Sequence, residues 1–162
     1  ANGMVKGQNL NDMLEALCQL PEKIAKYLEF HITGVKKETI CESILERVQA
    51  SLKGRFIIHE WLDYDELINL YKNTDFLLLA RKTCQMTLAN FPSKVPEVMT
   101  YGVIPIVSRV GDYTKYYLTN DVAVLYLMVT HQISVARAII RATRLSKEER
   151  EKNVRKRKKM CA

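Results

Sequence analysis

Residues 55–80 read RFIIHEWLDYDELINLYKNTDFLLLA, and this run decides the fold. Arg55 to Glu60 is a short run of β-forming residues and predicts a strand. Asp63 to Asn73 has helical spacing, and Asp63 with Glu66 three residues later is the pairing that caps a helix start from both sides. Asp75 to Ala80 is a second strand, apolar without alternation from Phe76 to Leu79. A continuous apolar strand is what a parallel sheet needs when both its faces are covered. Strand, helix and strand in one short run therefore predict a crossover unit of an α/β domain.

The same rhythm extends outward in both directions. Asn9 to Leu20 places Leu10, Met13, Leu14, Leu17 and Cys18 on one helical face, and Pro21 follows. Tyr27 to Thr33 alternates as a strand and closes on Gly34, and Thr39 to Leu52 is helical up to Gly54. Downstream, Lys94 to Tyr101 predicts a helix ended by Gly102, and Val103 to Ser108 a buried strand. Tyr113 to Leu118 predicts a short helix, Ala123 to Tyr126 a strand, and Ile133 to Arg144 and Lys147 to Lys159 two more helices. The expectation is one domain over residues 1–162, a Rossmann-like three-layer sandwich around a parallel sheet. Ala1 to Gly7 reads as a loop, so the first strand of such a sheet is expected to be absent from this chain.

Composition narrows the class. Apolar residues make up 48% and charged residues 27%, the balance of a globular protein and not of a disordered one. No apolar run approaches the roughly 20 residues a spanning helix requires, and no leader opens the chain, so the reading is cytoplasmic. Cys18, Cys41, Cys84 and Cys161 are scattered and read as reduced thiols, with no zinc pattern. The net charge is +7, but Lys147 to Lys159 holds eight basic against three acidic residues, leaving only +2 for the rest. A basic tail carries the charge. It reads as a solvated helix end or as a contact with anionic lipid at the inner face of a membrane, and no nucleic-acid partner is expected.

Ligands of open α/β sheets bind where the strands end. The loops to inspect follow Thr33, Glu60, Ala80 and Val107, and the longest, Arg81 to Ser93, is the most suggestive of function. It leads into residues 90–111, NFPSKVPEVMTYGVIPIVSRVG. A helix opening after Ser93 exposes backbone N–H groups beside Lys94, which suits an anion. Glu97, one turn further on, is within reach of hydroxyls attached to that anion. Phosphate plus a polyol is what a nucleotide offers. The structural alternatives are that Glu97 is a solvated helix residue and that Ser93 and Lys94 cap the helix.

The string PSKVPEVMTYGVIPIVS resembles the Pro-Ser-Lys-x-x-Glu-x-Met-x-x-Gly-x-Pro stretch in the C-terminal domains of GT-B glycosyltransferases of the family-4 kind, including enzymes of capsule and other surface-polysaccharide synthesis. Lys6-Gly7, the strand LEFHITG and the run FIIHEWLDYDELINLYKNTDFLLLAR resemble the corresponding parts of that family in the same order. The resemblance implies a retaining transfer of a hexose-type sugar from a UDP- or GDP-linked donor to a polysaccharide or lipid-linked acceptor, with no cofactor and no metal. By the same resemblance Glu97 binds the ribose, Lys6 the pyrophosphate, and the loop of Trp61, Leu62 and Asp63 the base. Ser93 and Gly34 belong to the donor site, and Arg81 and Lys94 neutralise the leaving diphosphate together with Lys6. The acceptor side is implied to come from the protein's own N-terminal domain, so this half alone is expected to be inactive.

One position departs from that pattern. Ala89 stands where many family members carry a first glutamate against the transferred sugar. That leaves a non-catalytic nucleotide-binding module open as an alternative; a sugar-nucleotide epimerase of the same fold would need a histidine and carboxylate constellation that the sequence lacks. Of the remaining residues, Trp61 reads as packing more readily than stacking on a base, Arg81 also suits a salt bridge, and Lys6 a solvated loop. His31 and His59 fall on polar strand positions and read as partly buried structural histidines.

Overall fold

The computed structural model describes residues 10–118, 123–126, 131–146 and 148–151. Within them α1 (Leu10–Cys18) buries Leu10, Leu14, Ala16 and Leu17 along one face. Pro21 stops nothing further: it stands at the head of a short helix, α2 (Glu22–Ala25), where its φ of −56° is already helical and its missing N–H costs nothing. The strand expected from Tyr27 is shorter, β1 (Phe30–Thr33), because residues 26–28 complete the turns that close α2.

The helix expected over Thr39 to Leu52 divides into a 3-10 turn (Lys37–Thr39) and α3 (Glu42–Ser51). The run read first behaves as its pattern predicts. β2 (Phe56–His59), α4 (Tyr64–Lys72) and β3 (Phe76–Leu79) follow one another, and Asp63 caps α4 as expected. Its Oδ1 accepts from the Glu66 N–H at 2.8 Å, while the Asp63 N–H donates to Glu66 Oε2 at 2.9 Å.

All strand pairings are parallel. β1 pairs with β2, and β3 pairs with β4 (Ile104–Ser108), which pairs in turn with β5 (Val124–Tyr126). Pro105 is tolerated inside β4 because the N–H of Ile104 serves β3 and pairing to β5 begins only at Ile106. The one sheet expected from sequence is thus hydrogen-bonded as a pair and a triplet, with no ladder between them among the described residues.

A single core nonetheless spans both groups. Phe30, Ile32, Phe56 and Ile58 from the pair join Phe76, Leu78, Ile104, Ile106 and Val124 from the triplet under α1, α3 and α8 (His131–Thr143). On the other side of the triplet, Leu77, Leu79 and Val107 pack against Val95 and Met99 of α6 (Lys94–Thr100) and against Tyr113 of α7 (Tyr113–Tyr116). Helices therefore cover both faces of the triplet, as a three-layer α/β domain requires. Residues 148–151 are helical; the remainder of the expected last helix, and the expected loop of Ala1 to Gly7, lie outside the described residues.

Candidate functional site

The stretch from Arg81 to Ser93, expected as a loop, contains a further helix, α5 (Gln85–Ala89). Three fastenings hold it. The buried Thr87 hydroxyl donates to the Lys82 carbonyl at 2.6 Å and accepts from the Cys84 N–H at 2.9 Å. Gly111, at φ +76°, lies so close that a Cβ there would meet the Thr87 and Leu88 carbonyl oxygens at 3.0 and 3.1 Å. The third is Arg81. Its side chain is 4% exposed, and its guanidinium donates to the Asn90 backbone and side-chain oxygens at 3.1 and 3.3 Å. The salt bridge that the sequence left open for Arg81 does not form among the described residues; the cation is held by neutral oxygens beneath the loop.

Two further buried groups surround that arginine. Ser108, fully buried at the end of β4, accepts from the Arg81 N–H at 2.9 Å and donates to the Arg81 carbonyl at 3.0 Å. The Tyr113 hydroxyl is buried near Arg81, and among the described residues no group meets it in hydrogen-bonding geometry. Burial raises its pKa, and the nearby Arg81 charge offsets part of that rise. Sequence reading missed Asn90, Ser108 and Tyr113. Ser108 did carry a signal, a hydroxyl ending an otherwise apolar buried strand.

Lys94 and Glu97 come together. They lie in the first turn of α6 with Nζ and Oε2 3.1 Å apart, both partly exposed. Burial lowers the Lys94 pKa, but the interactions with Glu97 and with the nearby Tyr71 outweigh this and leave it above the ordinary lysine value. Burial is also the main reason that the Tyr71 pKa is raised. Tyr71 of α4 lies against Tyr101 at the end of α6, with ring centroids 6.0 Å apart. A cation and a carboxylate are thereby presented side by side at a helix start, an arrangement able to hold an anion and a neighbouring hydroxyl. Ser93 is exposed at the head of α6, and its side chain makes no capping bond.

The other expected donor residues stand apart from this pair. Gly34 closes β1 at φ +74°, its N–H extending the pairing with β2 to the His59 carbonyl at 2.9 Å. Trp61, read as packing, is instead 79% exposed. Leu62 is half-buried and Asp63 is committed to capping α4. Among the described residues no hydrogen bond or ion pair joins Gly34, Trp61, Leu62 or Asp63 to Lys94 or Glu97; the link is through the far end of α4, at Tyr71. Lys6 lies outside the described residues. Within the described residues no group of three or more His, Cys, Asp and Glu side chains converges as a metal site, and no helix is long and apolar enough to cross a membrane.

Comparison with known proteins agrees with this architecture. A crystal structure of a glycosyltransferase from Rickettsia africae ESF-5 superimposes with a TM-score of 0.67 over 99% of this chain, at 14% identity. At that identity the likeness is one of fold. The chain spans 41% of that protein's length. No curated protein matches. The family model of Glycosyl transferases group 1 matches residues 2–160. The chain, an α/β domain with parallel strands and a lysine–glutamate pair opening α6, belongs to the group 1 glycosyl transferases.

Proposed function

We propose that this domain is the donor-binding half of a retaining, family-4-like glycosyltransferase of the surface-polysaccharide type. The observation that carries the reading is the Lys94–Glu97 pair, 3.1 Å apart and still partly open to solvent. A UDP- or GDP-linked sugar separates the pair on binding: the diphosphate takes Lys94 and the N–H groups before it, and Glu97 turns to the ribose hydroxyls. Ser93, with an uncommitted hydroxyl, adds a donor to the same phosphate.

Negative charge grows on the departing phosphate as the anomeric centre becomes oxocarbenium-like, so preorganised cations lower that barrier directly. Lys94 and Lys6 meet this charge. Arg81 adds its field from beneath the loop, through the position it gives to Asn90 and the residues leading into α6. Gly34 and the loop of Trp61, Leu62 and Asp63 form the base side, with the exposed indole free to move onto a ligand. The transfer needs no metal or other cofactor. The acceptor, a polysaccharide or lipid-linked sugar, is held by an N-terminal domain of the same protein, and the basic C-terminal segment keeps the enzyme at the inner face of a membrane. Without that other domain the cleft is neither closed nor dry, and this half alone does not turn over.

Calorimetry with UDP, GDP and a polynucleotide tests the reading. One diphosphonucleoside is expected to bind, with binding lost in Glu97→Ala; Lys94→Gln is expected to weaken the diphosphonucleoside more than the free nucleoside. Unchanged affinity in Glu97→Ala, or binding of polynucleotide alone, would overturn it.

A further inference from the structure

The face of the β1–β2 pair turned away from the core carries a cluster that the proposed transfer does not use. Glu29, His31 and His59 lie on it in line. His31 and Glu29 are two residues apart and so share a face, while His59 is the same-face neighbour diagonal to His31 across the parallel register Thr33↔His59. Glu29 Oε1 is 2.7 Å from His31 Nε2, and His31 Nδ1 is 2.9 Å from His59 Nε2. The imidazole planes differ by 8° and the centroids lie 5.2 Å apart, the separation expected for rings meeting nitrogen to nitrogen and not face to face.

The hydrogen-bond pattern sets the tautomers. With the Glu29 carboxylate accepting from Nε2–H, a neutral His31 offers its Nδ1 lone pair towards His59, which donates from Nε2. A carboxylate behind one imidazole is the arrangement that fixes and strengthens a histidine metal ligand. Metal–nitrogen bonds of about 2.0–2.1 Å span an N···N gap of about 2.9 Å at right angles and about 3.3 Å at the tetrahedral angle. The observed gap therefore needs little change in length, only a tilt of the two rings out of their common line. The site is also reachable, with the His31 side chain 25% exposed.

We infer that His31 Nδ1 and His59 Nε2, with Glu29 orienting His31, form a two-histidine site for a divalent transition-metal ion such as zinc, its other positions filled by water. The site uses none of the side chains assigned above to the donor, although it adjoins them: the His59 carbonyl accepts from the Gly34 N–H, and His59 leads into the loop of Trp61. Binding requires His59 to shift its proton from Nε2 to Nδ1, so a neutral pair loses no net proton. The ion ties β1 to β2 through side chains in addition to their backbone ladder.

Zinc chloride titrated in excess into the full chain, followed by histidine ring resonances, tests this. The signals of His31 and His59 are expected to shift together while those of His131, the third histidine, stay in place. His31→Gln or His59→Gln is expected to abolish the event, with circular dichroism confirming the fold. Glu29→Gln, which keeps both ligands, is expected to weaken binding roughly 10- to 100-fold. Zinc taken up only by thiols, with the imidazole signals unmoved, or the same affinity in His59→Gln, would overturn the assignment. Neither result bears on nucleotide binding at Glu97.

Discussion

The two strand groups of this domain differ in how they are covered. β4 is buried at all five positions, enclosed by α8 on one face and by α6 and α7 on the other. β1 and β2 turn Phe30, Ile32, Phe56 and Ile58 to the core, of which only Phe56 is fully buried; the opposite face holds His31, Thr33, Ile57 and His59 at intermediate or exposed positions. The triplet resembles the interior of a sandwich, the pair its rim. Tolerance to change should therefore divide along the same line.

The sharpest contrast is a buried charge. Val107 is 0% exposed on the enclosed face. Val107→Asp is expected to abolish cooperative thermal unfolding, at more than about 4 kcal/mol. Ile57→Asp on the half-open face should leave a folded protein, destabilised by about 1–2 kcal/mol. Equal collapse of both would break the comparison.

A second contrast is between two arginines. Arg81 in the triplet is buried and bonded to Asn90, whereas Arg55 beside β2 donates to the Leu28 and Ala25 carbonyls, each at 3.0 Å, from a half-buried position. Urea titration should show Arg81→Ala costing about 2–4 kcal/mol and Arg55→Ala about 1–2 kcal/mol. A reversed order would mean that the loop after β3 is held by Thr87 and Gly111 alone.

Glycines sharpen the division further, because Gly54 and Gly111 share nearly the same positive φ, +79° and +76°. Nothing lies within 4 Å of a Cβ at Gly54, while one at Gly111 would press on two carbonyl oxygens. Gly54→Ala should cost about 1 kcal/mol for backbone strain alone, and Gly111→Ala about 2–3 kcal/mol. The difference between them measures the close approach. The smallest pair concerns helix starts: Asp63→Ala removes a cap worth about 1 kcal/mol, and Ser93→Ala, which removes no capping bond, should change stability by less than about 0.5 kcal/mol.

Much of this was legible in the residues. The alternation in β1, the unbroken apolar run of β3 and the Asp63–Glu66 cap each encode a local rule, and local rules survive folding. What escaped the sequence depended on distant partners. Arg81 looks like any rim cation until Asn90, nine residues on, is brought against it. β3 reads as an enclosed strand, yet all four of its residues are only half-buried, because the edge not bonded to β4 has no strand beside it among the described residues. The pairing of His31 with His59 required the register between two strands, which no single stretch of sequence specifies.

The Ser108 hydroxyl, both accepting from and donating to the backbone of Arg81, acts as one more rung after the last strand pair of β3 and β4, Leu79↔Val107. It fixes the point from which the segment towards α6 departs. A hydroxyl at that one position sets where the loop begins, whatever fastens the rest of it.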